Sequence, residues 1–258
     1  SYTSVLNNDS AAVKLIIGGI VAFLAAVVII GGIKRIGRIA SMLVPFMSLL
    51  FIAMAFVIIG KNYTAIPDTF RLIFTSAFSS KAVAGGVGGF AFSQIIKKGL
   101  ARGVFSNEAG LGSSVIAHSA SETREPVKQG LWGIFEVFFD TFVICTLTAL
   151  VILTTNIGSG AYENGSFFGT TNAALSAFSS NLGTFGTVTF LIILPLFAFT
   201  TVLAWSYYGE KAVDFCFHHL PESKRKIPVL IFKIIFILLI VFSSLIGSDL
   251  IWALDDTF

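Results

Sequence analysis

Charge is scarce in this sequence. Only 12% of its 258 residues are Asp, Glu, Lys or Arg, about half the ~25% of a soluble domain. So little charge excludes an ordinary water-exposed surface, and 55% hydrophobic residues with 27 phenylalanines point to lipid as the solvent. The formal net charge of +3 is too small to suggest a nucleic-acid partner, and no basic–aromatic module accompanies it. A pI near 8.9 instead suits the basic loops of membrane proteins. Cysteine is nearly absent. Cys145 and Cys216 lie in apolar segments with no CxxC spacing, which excludes a disulfide framework and leaves them as small core residues. Metal-ligand spacing, a phosphate-binding glycine loop and a nucleophile–base pair are missing too, so no enzyme is indicated.

What is present is a series of apolar runs near the ~20 residues that a helix needs to cross a bilayer core. Spans are expected at about 13–33, 40–60, 128–153, 187–216 and 228–246, with a broken crossing over 90–121 and another segment starting near 250–258. This pattern predicts an all-α polytopic membrane helix bundle, read as a single transmembrane domain over 1–258. Pro45 is expected in the first turns of its span, where proline is tolerated. "IPDTFRLIFTSAF" reads as a short amphipathic helix opened by Pro67 and Asp68 and lying at an interface. Residues 154–186 read as a Gly/Ser/Asn/Thr-rich loop with a short helical piece near "NAALSAF".

Basic loops stay cytoplasmic. Lys34, Arg35 and Arg38, then Arg124 and Lys128, then Lys224, Arg225 and Lys226 therefore mark the inside, and the Lys/Arg-free stretch 154–186 falls outside. Lys97, Lys98 and Arg102 sit on the outer half of the 90–121 crossing and disagree with this scheme. Either they line an aqueous vestibule or snorkel, or "GGVGG" at 85–89 is the buried break and "KKGLAR" is already cytoplasmic.

The stretch "GVFSNEAGLGSS", residues 103–114, gathers three glycines, hydroxyls, an amide and a carboxylate. Glycine weakens a helix by about 1 kcal/mol relative to alanine, so Gly103, Gly110 and Gly112 with Ser106 and Asn107 favour local unwinding. Loose chain at membrane depth survives only where protein or water surrounds it. There, freed amides can hold a carboxylate and freed carbonyls a sodium ion, the broken-helix arrangement of secondary transporters. A zwitterionic amino acid suits such a break. The plainer reading is a polar loop outside the membrane, in which Glu108 would carry no meaning.

Residues 102–153, "RGVFSNEAGLGSSVIAHSASETREPVKQGLWGIFEVFFDTFVICTLTALVIL", resemble the signature region of the alanine/glycine:cation symporter family. "GGIKRIGRIASMLVPFM" at 31–47 and "WSYYGEKA" at 205–212 are similar to it as well. One departure is "GSSVIAHSAS", where the family more often has "GSAPIAHAAA". The resemblance implies sodium-coupled symport of small neutral amino acids across the cell membrane. It also implies a leucine-transporter-type fold in which this chain lacks the N-terminal helices and supplies helices four to nine, with helix six broken. The missing initiator methionine and the stop at "IWALDDTF" agree with a segment of a longer transporter.

On that mapping Phe105 packs on the substrate side chain. The backbone around Ser106, Asn107, Ala109, Gly110 and Gly112 meets its polar end, and Trp205 caps the cavity. Thr200 and Thr201 form a hydroxyl pair for sodium, with Asn107 and Asp140 as further ion candidates. From residues alone, two such threonines ordinarily bond back to the preceding turn. Glu136 and Asp140 share a helical face; Asp140 with Thr141 is placed near the ion, and Glu136 is read as mainly structural. Gln94 and His118 are read as packing or vestibule residues, and His218 and His219 as part of a solvated basic loop. Proton coupling is the near variant. A non-transporting channel or scaffold subunit is the rival class, for which uninterrupted helices with small-residue interfaces are expected.

Overall fold

The computed structural model describes residues 11–77, 97, 99–101, 103–158 and 170–246. The glycine cluster at 85–89, Gln94, Lys98, Arg102 and the segment expected near 250–258 lie outside these. All regular structure among the described residues is helical. In chain order it comprises α1 (Ala11–Ile30), α2 (Gly32–Lys61), a 3-10 turn (Tyr63–Ala65), α3 (Ile66–Ala77), α4 (Ser113–His118), α5 (Pro126–Phe138), a π-helical segment (Phe139–Cys145), α6 (Thr146–Gly158), α7 (Thr170–Cys216) and α8 (Glu222–Ser243). Five stretches are long and apolar enough to cross a membrane: α1, α2, the continuous run Pro126–Gly158, most of α7, and α8.

Helix α1 passes into α2 through Gly31 alone, because Gly32 adopts φ +70°, a left-handed value that side chains resist. Lys34, Arg35 and Arg38 therefore occupy the first turns of α2 rather than a loop. Arg35 turns back and donates to the carbonyl of Val27 at 2.7 Å, satisfying an acceptor that the end of α1 leaves open. Pro45 consequently sits inside a 30-residue helix, not in its first turns, and cannot donate to the carbonyl of Ser41.

The chain divides into two compact units, one of residues up to Val44 and from Leu196, the other of Pro45–Pro195. Helices α2 and α7 each pass from one unit to the other at an internal proline, Pro45 and Pro195.

In the first unit α8 runs antiparallel to α1. Gly18 lets α1 approach Ser244 so closely that a Cβ there would overlap the serine side chain, and Gly209 of α7 admits the ring of Phe232 in the same way. Lipid supplies little hydrophobic drive between helices, so close backbone approach and polar contacts carry the association. Lys233 supplies such a contact from the interior of α8. It pairs with Glu210 at 3.0 Å and reaches the carbonyl of Ile29 at 3.5 Å, which ties the three helices together and answers both charges.

In the second unit, Phe178 is fully buried between Phe51 and Phe190, with ring centroids 5.8 and 4.9 Å away. Helix follows from Thr170, so "NAALSAF" belongs to a regular helix that breaks at Gly183 (φ 61°, ψ −145°), a region essentially open only to glycine. Asn181, just before the break, accepts from Asn62 at 2.6 Å and donates to Thr155 at 2.9 Å. Lys61 donates to its carbonyl at 2.6 Å.

Beyond the break, a Cβ on Gly186 would collide with the backbone carbonyl of Phe178 and lie 2.6 Å from Cβ of Leu182. Gly186→Ala should destabilise the protein by about 1–3 kcal/mol, the usual cost of overpacking. A lower midpoint in thermal unfolding of the detergent-solubilised protein is the expected reading, and an unchanged midpoint would contradict the close approach.

Candidate functional site

The polar stretch ends one helix and begins another. Residues 103–106 are helical, 107–111 form turns, and α4 starts at Ser113. The ending has a defined geometry. Ala109 N–H donates to the carbonyl of Val104 at 3.0 Å and Glu108 N–H to that of Phe105 at 3.1 Å, the paired bonds of a Schellman stop. The left-handed residue that this stop requires is ordinarily glycine. Here it is Glu108, with φ 49°, which costs about 1–2 kcal/mol in backbone strain. Its carboxylate accepts a hydrogen bond from the buried hydroxyl of Ser113 at the start of α4, so one side chain bridges the two halves. Gly110 (φ 84°) and Gly112 (φ 72°) complete the reversal. Among the described residues the amides of Gly110 and Gly112 meet no hydrogen-bond acceptor.

The first half is tied to the π-helical segment Phe139–Cys145. Ser106 donates to the carboxylate of Asp140 at 2.8 Å, and Thr141 donates to the side-chain carbonyl of Asn107 at 3.2 Å. The Asn107 amide in turn donates to the carbonyl of Gly103 at 3.0 Å, which fixes which end of the side chain faces Thr141. Consecutive residues on a helix point about 100° apart, yet Asp140 and Thr141 both reach the broken segment. The wider π turn allows this, and such turns are frequent at functional sites.

The second half is tied to α5. The ring of His118 lies against Gln129 (2.6 Å) and Glu136 (3.5 Å), over Gly133. Gln129, Gly133, Glu136 and Asp140 recur at i, i+4, i+7 and i+11, one continuous face. Both halves of the broken segment thus bond to the same stripe of Pro126–Cys145.

Ser106, Asn107, Asp140 and Thr141 are brought together, while Phe105, Ala109, Gly110 and Gly112 lie on the exposed part of the break. Thr200, Thr201 and Trp205 belong to α7 in the first unit. The two threonine hydroxyls donate to the carbonyl of Phe197 at 2.9 and 3.0 Å, the back-bonding expected of their residue type. Leu203, Ser206 and Tyr207 bury one face of α7, whereas Thr201 and Trp205 occupy an exposed face of that helix. The π segment and the Ser113–Glu108 bridge had no signal in the sequence. The Gln129–Glu136 face was visible as spacing, but its partner His118 is not adjacent in sequence.

Five apolar helices of membrane-crossing length define a multi-pass membrane protein, and the break at 107–112 adds an irregular segment held by bonded polar groups. The comparisons make this specific: the model of the sodium:alanine symporter family matches residues 1–258, and the chain belongs to that family, whose members are transporters and not enzymes. The sodium/alanine symporter AgcS of Methanococcus maripaludis is 40% identical over 244 residues, 94% of this chain and 51% of that protein. The probable sodium/glutamine symporter GlnT of Bacillus subtilis is 36% identical over 247 residues, 95% of this chain and 48% of that protein. A sodium/proton-dependent alanine carrier protein of Bacillus sp. PS3 is 33% identical over 257 residues, 94% and 55% respectively. The chain spans about half the length of these relatives.

A Cβ on Gly112 would meet nothing within 4 Å, so its substitution isolates the backbone effect. Gly112→Ala should cost about 1–2 kcal/mol through the left-handed conformation alone, read as a lower thermal midpoint. No change would mean that the chain does not turn at this glycine.

Proposed function

We propose that the protein carries a small neutral amino acid, alanine or glycine, into the cell together with sodium, by alternating access on a leucine-transporter-type fold. The observation that carries this reading is the break at 107–112, where main-chain groups leave helical pairing while side chains on both sides are held by one neighbouring helix. Sodium and the amino acid are both cargo. The freed amides around Gly110 and Gly112 suit a carboxylate, and the carbonyls and side-chain oxygens near Ser106, Asn107 and Asp140 suit an ammonium group or sodium. Phe105 offers an apolar surface for a methyl-sized side chain.

Thr200 and Thr201 fit an ion-binding role because each hydroxyl hydrogen is already committed to the carbonyl of Phe197. The oxygen lone pairs then face away from that bond, and lone pairs are what a cation needs. Three relatives carry alanine and sodium in their names and one carries glutamine, and alanine is the cargo this reading takes. Bundle rocking around a site at a broken helix is the expected mode of transport. The cell membrane is the expected location.

Counterflow of labelled alanine in proteoliposomes of the full-length protein, with and without a sodium gradient, tests the reading. Accumulation only with sodium is expected; equal uptake in both conditions would remove sodium coupling. Thr201→Val should raise the sodium concentration for half-maximal uptake by about tenfold, equivalent to about 1.4 kcal/mol of binding. An unchanged sodium dependence would take Thr201 out of the ion site.

A further inference from the structure

The interaction around His118 has a directionality that a packing residue does not need. Ser121 Oγ donates to Oε1 of Gln129 at 2.9 Å, and in this orientation the other end of the amide, Nε2, faces His118. Nε2 is a donor, so Nδ1 of His118 at 2.6 Å accepts. With the amide so oriented, the hydrogen of a neutral ring belongs on the other nitrogen, which faces the carboxylate of Glu136 at 3.5 Å. Gly133 lies beneath the ring, its Cβ position 3.7 Å from Nε2.

The same network holds a ready alternative. The single hydrogen of Ser121 has two acceptors in reach, Gln129 Oε1 at 2.9 Å and Thr123 Oγ1 at 3.0 Å. A proton taken from water onto Nδ1 would set two donors against each other across 2.6 Å. Turning the Gln129 amide over presents Oε1 to the ring and Nε2 to Ser121. Ser121 then accepts from Gln129 while still accepting from Thr123 N–H at 3.1 Å, and gives its own hydrogen to Thr123. The contacts of the ring with Gln129 and of Gln129 with Ser121 are kept in both states, and no further reactant is consumed. What changes is the partner of Glu136. A neutral N–H becomes an imidazolium beside a carboxylate, and the end of α4 is drawn more strongly to α5.

We propose that His118, with Gln129 and Glu136, forms a proton-binding site that sets how firmly the second half of the broken segment is held to α5. Among the described residues, the charged groups on α5 and the 119–125 connection are Glu122, Arg124, Glu125, Lys128 and Glu136. Lys128 pairs with Glu125 at 3.0 Å, and Glu136 is the one in ion-pair contact with the ring. Only the functional consequence rests on the transport reading: the stripe holding His118 also holds Ser106 through Asp140, so the site makes alanine movement depend on pH.

Two measurements test it. Nitrogen-15 spectra of the histidine-labelled full-length protein report ring protonation directly, and His118→Gln identifies the resonances. The neutral ring should carry its hydrogen on Nε2, the nitrogen that faces Glu136. A neutral ring with the hydrogen on Nδ1 overturns the proposal whether or not the protein transports anything. Alanine counterflow is then followed over about pH 5–8, where histidine is the side chain suited to change charge. The unmodified protein should show a pH-dependent step that both His118→Gln and Glu136→Gln lose while still exchanging alanine. A pH-independent unmodified protein, or variant profiles superimposable on it, overturns the proposal with alanine transport intact. Absence of alanine exchange at every pH would instead remove the transport reading, and the nitrogen-15 spectra would still decide the proton site.

Discussion

A backbone amide or carbonyl placed among lipid tails has nothing to bond to except its own chain or a neighbouring one, and an unanswered group costs several kcal/mol. The five helices of membrane-crossing length follow from that constraint. The break at 107–112 is closed by a Schellman pair, by Ser113 donating to Glu108, and by Ser106, Asn107, Asp140 and Thr141 bonding across helices. The groups left over, such as the amides of Gly110 and Gly112, are the chemically available ones. On the proposed transport reading, the carboxylate of an amino acid can answer them as water would, without the chain reforming a helix.

Strain and support are paired at this break. Glu108 takes the conformation that glycine would take freely, and its carboxylate holds the first turn of α4 in return. A glycine at this position would relieve the backbone but lose the bridge, leaving the two halves joined through the chain and through their separate bonds to the Pro126–Cys145 stripe. The neighbouring helix makes a similar exchange. Its π turn gives up regular pairing over Phe139–Cys145 and gains two adjacent side chains facing the same partner. Both features place irregular backbone where the polar groups meet.

Glycine and proline work differently away from the site. Gly18, Gly186 and Gly209 permit contact distances that any side chain would prevent, and this matters most where lipid offers little drive for association. Pro45 and Pro195 each remove one bond from a long helix at the point where it leaves one compact unit for the other. Lys233 and Glu210 show the remaining device, a charge pair that satisfies itself and a helix-end carbonyl together.

The sequence by itself determined the solvent and the class. Low charge and apolar runs of crossing length required membrane helices, and the glycine–polar cluster at 103–114 marked a place where helix stops. Family motifs named the transporter. Helix limits were less legible: Arg35 and Lys34 read as loop residues because charge usually ends a span, yet Arg35 folds back to cap Val27 and leaves Pro45 deep within α2. Residues 170–182 read as loop with only a short helical piece near "NAALSAF", because their composition is small and polar, though helix begins at Thr170 and Ala173, Ala177 and Phe178 bury one side of it. Only the tertiary structure decided which polar groups meet. A π turn depends on competing backbone bonds rather than on residue type, and His118 finds Gln129 and Glu136 across a connection that spacing rules for a single helix do not reach.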